Sequence, residues 1–256
     1  MTRLLPRRPQ RRRGLLWLLS GLLLIGGLYT VFRVQLSVPP ARALAAGHDL
    51  LTMRRVLAVV AHPDDLEWYL GGTLRRLTEQ GARVVVIVAT DGEKGPNRTG
   101  ATDLAATRRA EQAAAGRVLG YTRIYSLGLP DRGASQGPRL LAEVQRIYAQ
   151  EQPQAVFVFD PALPALPYLH PDHQGSARIV LDFWKNLGAG RPPVYLFQTR
   201  RPDVAVDISS VIDLKARALA QHVTQNGGSA GMMPRLFAGD GRQVGVSYAE
   251  LFRQLR

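Results

Sequence analysis

The stretch from Val56 to Leu74 constrains the fold of this chain more than any other part of the sequence. It opens with the apolar run Val56–Val60, which is typical of a strand buried on both faces of a parallel sheet. The polar tetrapeptide HPDD follows at positions 62–65, and a helix-like pattern then resumes. Polar side chains directly after a buried strand of an open α/β sheet usually indicate a ligand site or an active site.

Two interpretations fit this tetrapeptide equally well. In the first, His62 and Asp65 bind a metal such as zinc, which prefers imidazole nitrogen and carboxylate oxygen, and Asp64 acts as a base. In the second, Asp64 or Asp65 caps the following helix and His62 is an ordinary turn residue. A motif this short is decided only by its structural context.

Strand-like and helix-like segments alternate along the rest of the chain. We predict further strands at Val84–Thr90, Arg123–Leu127, Ala155–Asp160, Val194–Thr199 and Val204–Ile208, and helices at 67–80, 103–119, 139–150, 174–187 and 213–225, with a short terminal helix at 247–256. Repeated strand, polar loop and helix is the pattern of parallel βαβ units. The predicted fold is therefore α/β, with a mostly parallel sheet between helices on both faces. No glycine-rich nucleotide-binding motif follows a strand, so a nucleotide site is not supported.

A second polar cluster follows the strand predicted at 155–160. The sequence YLHPDH at 168–173 places His170 and His173 three positions apart at a helix start, where both can lie on one side of the first turn. Three of the five histidines thus occur in two His-Pro-Asp motifs, each after a predicted buried strand. This coincidence is hard to obtain from helix caps, so we predict a metal site. Asp172 fits an imidazole-orienting residue or, preferably, a helix cap, and His222 fits a site rim or a helix surface.

The amino-terminal part of the chain has a different composition from the rest. The formal net charge is +13, and six arginines among the first 13 residues supply six of these charges. The remaining charges form no basic stripe interleaved with aromatic residues, so nucleic-acid binding is not expected. Residues 14–36 are apolar over a length that spans a bilayer, with Trp17 and Tyr29 toward the two ends, as interfacial aromatics are placed.

We therefore predict a basic cytoplasmic leader at 1–13, a transmembrane anchor at 14–36, a linker at 37–50 and a catalytic domain at 51–256. The arginines before the anchor predict a cytoplasmic amino terminus and an extracytoplasmic domain. Two alternatives remain open. The small residues at 43–45 also fit a signal-peptide cleavage site and hence a secreted protein, and the catalytic domain can instead lie in the cytoplasm. The chain has no cysteine, which excludes disulfides and thiolate ligands.

Several motifs follow one another in a fixed order: AHPDD at 61–65 with Glu67, GGTL at 71–74, TDGEKG at 90–95, RRAEQAAAGRVLG at 108–120, LGLPD at 127–131, HPDH at 170–173 and KARALAQHVTQ at 215–225. In this order they resemble the LmbE/PIG-L family of metal-dependent N-acetylglucosamine deacetylases, over residues 55–225. One departure is Leu66, because many members have glutamate directly after the two aspartates. Glu67 follows one position later, and we interpret this as a subtype.

The resemblance implies a Rossmann-like sheet, a zinc ion and hydrolysis of the N-acetyl group of a glucosaminyl substrate. By motif, the metal ligands would be His62, Asp65 and His173. Asp64 would be the general base, and His170 would stabilise the oxyanion or protonate the leaving amine.

The resemblance also implies three residues around the substrate. By motif, Arg108, Asp131 and Tyr168 match positions that family members use around the sugar or the oxyanion. The substrate would be an N-acetylated amino sugar, and the predicted anchor favours a lipid-linked or envelope glycan. The sequence does not determine the oligomeric state.

The chemistry of amide hydrolysis fits these residue types independently. An amide is a poor electrophile, and zinc both lowers the pKa of bound water to about 7 and polarises a carbonyl. A nearby carboxylate that is not a ligand can take the water proton, and a histidine can stabilise the tetrahedral intermediate. We therefore predict a zinc-dependent N-deacetylase. A carbohydrate-binding relative without turnover is the alternative, and Fe²⁺ also fits the nitrogen and oxygen ligands.

Overall fold

Runs of apolar and β-branched residues, such as RVLAVV and RVVVIVAT, form the central sheet of this computed structural model. The structure describes residues 33–133, 137–165, 169–226 and 228–256. Within them the sheet has seven strands: β1 (Arg55–Val60), β2 (Arg83–Thr90), β3 (Arg123–Leu129), β4 (Ala155–Phe159), β5 (Val194–Phe197), β6 (Val204–Asp207) and β7 (Ala249–Leu255). Their order is β3-β2-β1-β4-β5-β7-β6, and among these seven β7 runs in the direction opposite to the other six.

Helices connect the strands and cover the sheet. In chain order they are α1 (Pro40–Leu51), α2 (Asp65–Tyr69), α3 (Gly71–Glu79), α4 (Leu104–Leu119), α5 (Gly137–Glu151), α6 (Pro171–Lys185), α7 (Ile212–Leu219), α8 (Val223–Asn226) and α9 (Met233–Val244), with a 3₁₀ turn at Ser229–Met232. Helices α5 and α6 pack together against the central strands, and a second group formed by α3, α4 and α7 packs together elsewhere on the sheet. The predicted α/β fold with a mostly parallel sheet is confirmed.

The strand order brings the two His-Pro-Asp motifs to one place. Strands β1 and β4 pair in parallel, with Val56 opposite Ala155 and Ala58 opposite Phe157. From this pair the chain continues to β2 on one side and to β5 on the other. The crevice at the carboxyl ends of two such strands is the usual ligand position of an open α/β sheet. The loops that follow β1 and β4 both open into it.

The segment predicted as a linker contains a helix. Residues 40–51 form α1, with Pro40 in the first turn, where a missing backbone N–H costs nothing. The alanines that follow are good helix formers. The helix packs on β6, and a Cβ on Gly47 would overlap the carbonyl oxygen of Ala205. The two prolines therefore mark the start of a helix that belongs to the folded unit.

Two further predictions of secondary structure differ from the structure. The predicted terminal helix at 247–256 is wrong, because Ala249–Leu255 forms β7 between β5 and β6. An apolar run this short does not separate helix from strand by its periodicity. The helix predicted at 67–80 is interrupted at Leu70, whose φ of −142° divides it into α2 and α3.

The predicted basic leader and most of the predicted anchor at 14–36 lie outside the described residues. Residues 33–36 are described and are not helical. Gln35 donates its backbone N–H to the carbonyl oxygen of Arg200 at 3.2 Å, so this end of the predicted anchor is part of the compact unit Val34–Arg256. In the part of the chain that the structure describes, no helix combines the length and apolarity that a bilayer crossing requires.

Candidate metal centre and catalytic site

The turn after β1 supplies the first group of site residues. Asp64 has a left-handed backbone, with φ of 90°, which costs a non-glycine residue roughly 1–3 kcal/mol. It precedes α2 but makes no side-chain capping hydrogen bond, and Asp65 is already within the helix. The Oδ2 atom of Asp65 instead accepts the backbone N–H of His62 at 2.8 Å. The capping interpretation of the tetrapeptide is therefore not supported for Asp64 or Asp65.

Three side chains converge at the carboxyl ends of β1 and β4. The Nδ1 atom of His62 lies 3.2 Å from Nε2 of His173, and that Nε2 lies 3.0 Å from Oδ1 of Asp65. The Oδ2 atom of Asp65 lies 3.7 Å from His62 Nδ1. All three residues are buried. Two ligand atoms of one tetrahedral zinc are separated by about 3.4 Å, given bond lengths near 2.1 Å, so these residues fit a shared cation.

A fourth residue lies beside this set. His170 offers a ring nitrogen that, with His62 and His173, forms a group within 4.8 Å that could hold a metal. However, its Nδ1 accepts the backbone N–H of Asp172 at 3.2 Å, which makes His170 the N-cap of α6. The shorter distances to Asp65 therefore favour Asp65 as the third ligand and leave His170 beside the metal position.

The second ring nitrogen of His62 faces two carboxylates. Its Nε2 lies 3.1 Å from Oδ1 of Asp131 and 3.4 Å from Oδ2 of Asp172. The backbone N–H of Arg132 donates to both of these oxygens, at 2.8 and 2.9 Å. The carboxylates thus fix His62 with a proton on Nε2 and its Nδ1 toward the metal position, as carboxylates that contact the far nitrogen of a histidine ligand do in metal sites. Asp172 orients an imidazole and is not the helix cap that we favoured.

These contacts shift the protonation of His62 and Asp131 in opposite directions. Burial lowers the pKa of His62, but the hydrogen bonds from Asp131 and Asp172 and the charge of Asp65 outweigh it, and the pKa is about 10 before any cation binds. Burial raises the pKa of Asp131, but the hydrogen bond and charge of His62 outweigh that effect, so its pKa lies well below the ordinary value. Without a bound cation, His62 and Asp131 therefore form an ion pair.

Aromatic side chains hold the ring of His173. Phe159, at the end of β4, stacks on the imidazole with ring centroids 3.9 Å apart and an interplanar angle of 8°. Tyr69, at the end of α2, approaches the same ring edge-on. Since both neighbours belong to regular elements, the ring has a fixed orientation toward Asp65. This is the preorganisation that a metal site requires.

Asp64 lies next to the metal set without belonging to it. Its carboxylate Oδ1 is 3.6 Å from Nη2 of Arg108, a residue on α4. Arg108 also donates to the carbonyl oxygens of Pro63 and Gly92, at 2.6 and 2.7 Å, and so braces the turn. Burial raises the pKa of Asp64 to about 6, against the opposing charge of Arg108. A carboxyl group with this pKa can both take and give a proton near neutral pH.

The pKa of His170 is lowered, whereas that of Asp64 is raised. Burial and the charges of His62 and His173 lower its pKa, so the neutral imidazole is favoured. Since Nδ1 accepts a backbone N–H, the proton of the neutral ring is on Nε2. The ring packs edge-on against His62, with centroids 4.7 Å apart.

An open pocket of about 300 Å³ gives access to these groups. Its lining includes six of the predicted site residues, namely His62, Asp64, Asp65, Arg108, Asp131 and His170. The predicted ligand His173 does not line the pocket but contacts His62, Asp65 and His170, which do. Tyr168 lies outside the described residues. The same pocket is lined by Gly95, Pro96, Arg132 and Gln225, which we did not predict, although Gly95 and Gln225 belong to motifs quoted above.

Both interpretations of His222 are wrong. Its side chain is fully buried, and it lies after α7 instead of on a helix surface or at the rim of the pocket. Its Nε2 lies 3.1 Å from Oε2 of Glu67, which is also fully buried. Glu67 was prominent in the sequence as the displaced acid after the two aspartates, and its partner was not evident from spacing.

The fold and the cluster define a doubly wound α/β protein with a candidate metal centre at its topological switch point. Residues 57–184 match the family described as PIG-L: GlcNAc-PI de-N-acetylase. A diacetylchitobiose deacetylase of Thermococcus kodakarensis is 30% identical over 190 residues, which cover 68% of this chain and 70% of that protein. The chain belongs to the PIG-L (LmbE) family.

Two other proteins support the same membership. A probable N-acetyl-alpha-D-glucosaminyl L-malate deacetylase of Bacillus cereus is 29% identical over 188 residues, which cover 67% of this chain and 84% of that protein. The solved structure of N,N'-diacetylchitobiose deacetylase from Pyrococcus horikoshii superposes with a TM-score of 0.71 at 28% identity, over 79% of this chain and 84% of that one. These relatives are named as deacetylases of substrates that contain N-acetylglucosamine.

Proposed function

We propose that this protein is a metal-dependent hydrolase that removes the N-acetyl group from a substrate containing N-acetylglucosamine. The observation that carries the proposal is the convergence of His62, Asp65 and His173 within 3.0–3.7 Å, beside a carboxylate, Asp64, that remains outside this set. The relatives named above act on such substrates, which supports the choice of bond and sugar.

The ligand set favours zinc as the metal, with Fe²⁺ as the alternative. His62 Nδ1, His173 Nε2 and the Asp65 carboxylate would hold the ion, and the pocket would leave room for water and substrate. When bound, such an ion supplies Lewis acidity toward a carbonyl oxygen and acidifies water. Asp131 and Asp172 would keep His62 in the tautomer that the ion requires.

Asp64 would be the general base. It lines the pocket beside the ligand Asp65, and burial gives its carboxyl group a pKa of about 6, close to the pH at which proton transfer is most efficient. In this role Asp64 takes a proton from the attacking water. The protonated carboxyl group can then return that proton to the leaving amine.

His170 would stabilise the oxyanion. The hydrogen bond from the backbone of Asp172 to Nδ1 leaves the ring proton on Nε2, and the lowered pKa favours the neutral ring. A neutral N–H donor stabilises charge that develops on the carbonyl oxygen. Of the two roles that the resemblance implied for His170, this geometry supports the oxyanion role over delivery of a proton to the amine.

Arg108 and Asp131 line the pocket and also hold neighbouring site residues in place. Each makes two or more hydrogen bonds to neighbouring groups of the protein, Arg108 to the turn before Asp64 and Asp131 to His62. Contacts of these residues with the sugar are part of the proposal. A contact from Tyr168 is proposed from the sequence motif alone.

The proposal extends to the location of the enzyme and its aglycone. The predicted anchor at 14–36, apart from its non-helical end at 33–36, would hold the protein in a membrane, with the basic leader in the cytoplasm and the catalytic unit outside it. An anchored enzyme encounters substrates at the membrane or in the envelope, so a lipid-linked or envelope glycan is the favoured substrate class. Cleavage of the segment as a signal peptide would give a secreted enzyme instead.

The decisive experiment measures acetate release by the full-length, zinc-loaded protein. The panel contains N-acetylglucosaminides with inositol, malate, sugar and lipid aglycones, and each is also tested with the Asp64→Asn variant as a control. Release by the wild type alone would establish the reaction, and the preferred aglycone would identify the substrate class. Zinc binding without release from any member of the panel would contradict the proposed activity on this class of sugar.

A further inference from the structure

A buried glutamine on α4 contacts the backbone of the proposed base. The side-chain Oε1 of Gln112 accepts the N–H of Asp64 at 3.0 Å. Gln112 is 1% exposed, so this hydrogen bond is shielded from water. Asp64 is one of the four non-glycine residues with positive φ in the described part of the chain. The glutamine thus holds a backbone that an ordinary residue adopts only at a cost.

The other end of the same amide is fixed by a carboxylate. Nε2 of Gln112 donates to Oε1 and Oε2 of Glu67, at 3.1 and 3.3 Å. Because an N–H can donate only to the oxygen of the amide and a carboxylate can accept only from its nitrogen, the two contacts together determine which way the amide is turned. A flipped amide would lose both hydrogen bonds.

Glu67 is itself fully buried and held by further donors. The hydroxyl of Tyr121 donates to Oε1 at 3.1 Å, and His222 contacts Oε2 at 3.1 Å. Burial lowers the pKa of His222, but the hydrogen bond and charge of Glu67 outweigh it, so the pKa of His222 is raised. With these partners, the carboxylate of Glu67 keeps its position when the side chain of Gln112 moves. Glu67 therefore gives Gln112 a fixed support.

We propose that Gln112, held by Glu67, is a positioning residue that keeps the backbone of Asp64 in its left-handed conformation and so keeps the carboxylate beside the metal position. The inference rests on the proposed function, because it concerns the proposed base of that reaction. It adds a line of contacts from His222 through Glu67 and Gln112 to Asp64. None of the first three residues lines the pocket.

The physical reason is the coupling of one hydrogen bond to one strained dihedral angle. Without Gln112, the buried N–H of Asp64 loses its acceptor, which removes much of the advantage of the left-handed backbone. The turn can then relax toward an ordinary φ and carry the carboxylate with it. A displacement of about 1 Å in a reacting group can reduce the rate by roughly 100-fold.

The test compares Gln112→Met with Thr78→Val in the full-length protein. Methionine has a similar volume but no acceptor oxygen. Thr78 on α3 is the matched control, because its hydroxyl donates to the carbonyl oxygen of Leu119 at the carboxyl end of α4, the helix that carries Gln112. Thr78→Val therefore removes a hydrogen bond to α4 at a position away from Asp64. Crystal structures of the zinc-loaded wild type and of both variants report the φ of Asp64, and zinc analysis reports the metal.

We expect φ of Asp64 to leave the left-handed region in Gln112→Met and to stay there in Thr78→Val. On a substrate that the wild type turns over, we expect kcat of Gln112→Met to fall about 10- to 100-fold with KM within twofold. Thr78→Val should keep both constants within twofold. A Gln112→Met variant that keeps Asp64 left-handed would overturn the proposal.

Two further variants separate positioning from a general structural role. In an Asp64→Asn background, Gln112→Met should lower the residual kcat no further, because a residue that acts through the base has no base left to position. Glu67→Gln keeps an acceptor for Gln112 and should retain more activity than Glu67→Ala. A further loss in the Asp64→Asn background, or equal losses in the two Glu67 variants, would contradict the proposal.

The structural measurement also separates this inference from the proposed function. If the wild type releases no acetate from any substrate, the proposed function fails, and the φ of Asp64 in Gln112→Met still decides whether Gln112 positions that residue. If the wild type is active and φ is unchanged in the variant, the function stands and the positioning role fails.

Discussion

Asp65 and Asp160 follow adjacent parallel strands of the same sheet, yet their surroundings differ. Both side chains are buried, at 4% and 0% exposure. Asp160 receives hydrogen bonds from Arg253 at 2.8 Å to each oxygen, from the hydroxyl of Thr199 at 2.7 Å and from two backbone N–H groups at 2.9 Å. Asp65 receives one backbone N–H and otherwise faces two imidazole nitrogens.

The difference shows how a structural carboxylate can be distinguished from a proposed metal ligand. The lone pairs of Asp160 are all used by donors of the protein, so its charge is compensated and no cation is needed. Asp65 lies among ring nitrogens that are themselves ligand atoms, and one cation would satisfy all three groups at once. An acidic residue at the end of a buried strand therefore does not by itself indicate a functional site. The groups that contact its carboxylate decide between a structural role and metal binding.

Removing a proposed ligand should disrupt the Asp65 cluster most severely. His173→Ala takes away an imidazole that contacts both Asp65 and His62. We expect the purified variant to lose its zinc and all measurable acetate release, since even changes beyond the ligands cost about 10- to 100-fold in metal affinity. Elemental analysis of the purified protein checks the metal. Full zinc occupancy in the variant would remove His173 from the ligand set.

Changing the carboxylate next to the ligand separates catalysis from metal binding. Asp64→Asn keeps the shape of the side chain and leaves His62, Asp65 and His173 in place. We expect zinc occupancy to equal that of the wild type while kcat falls about 10²- to 10⁴-fold, the usual contribution of a general base. Zinc analysis and acetate release are measured on the same sample. Turnover at the wild-type rate would exclude Asp64 as the base.

The sequence predicts the cluster around Asp65 but not the cluster around Asp160. The two His-Pro-Asp motifs after apolar strands locate His62, Asp65 and His173 because the carboxyl ends of parallel strands lie at one edge of the sheet. Nothing in the sequence marks Arg253 as the partner of Asp160. Arg253 lies on β7, which we predicted as a helix, and pairing between distant strands is not visible in local periodicity.

The same reason explains why the contact of Gln112 with the proposed base was not predicted. Gln112 is in the middle of α4, within the motif RRAEQAAAGRVLG, where the resemblance gave a role to Arg108 alone, and its partner Glu67 lies 45 positions earlier. Only the packing of α4 beside the turn after β1 brings the two together. Tertiary contacts between long-separated side chains are thus the part of the site that spacing and composition leave open.

Breaking the Asp160 cluster should affect stability and leave the metal in place. Asp160→Ala leaves the partly buried guanidinium of Arg253 without its carboxylate. We expect the free energy of unfolding to fall by about 3 kcal/mol, in the range for one lost partner of a buried ion pair. Denaturant unfolding measures it, and zinc occupancy should stay at the wild-type level.

Asp182→Ala is the matched control for that experiment. Asp182 pairs with Lys185 at 3.0 Å on the exposed face of α6, where its side chain is 70% exposed. An exposed pair contributes little, so we expect a change below about 1 kcal/mol. Equal losses of stability in Asp160→Ala and Asp182→Ala would show that the buried cluster has no special weight.

Acid should weaken the Asp160 cluster in a defined pH window. Burial raises the pKa of Asp160, but hydrogen bonds from Arg253, Leu163 and Thr199 outweigh it, so the pKa in the folded protein lies below the ordinary value of 3.8. The unfolded chain therefore binds more protons in acid than the folded one. The stabilisation is complete above pH 3.8 and is lost as the pH falls through the lower pKa of the folded protein.

Asp160→Asn isolates this contribution from those of the other buried acids. The variant keeps the shape of the side chain but has no charge to titrate, so its free energy of unfolding should depend less on pH below 3.8 than that of the wild type. The difference between the two curves measures Asp160 alone, because Asp65 and Asp131 titrate in both proteins. Parallel curves would mean that Asp160 has the same pKa in the folded and unfolded chains. Asp160 would then lack the compensation of its charge by protein donors that we use to distinguish it from Asp65.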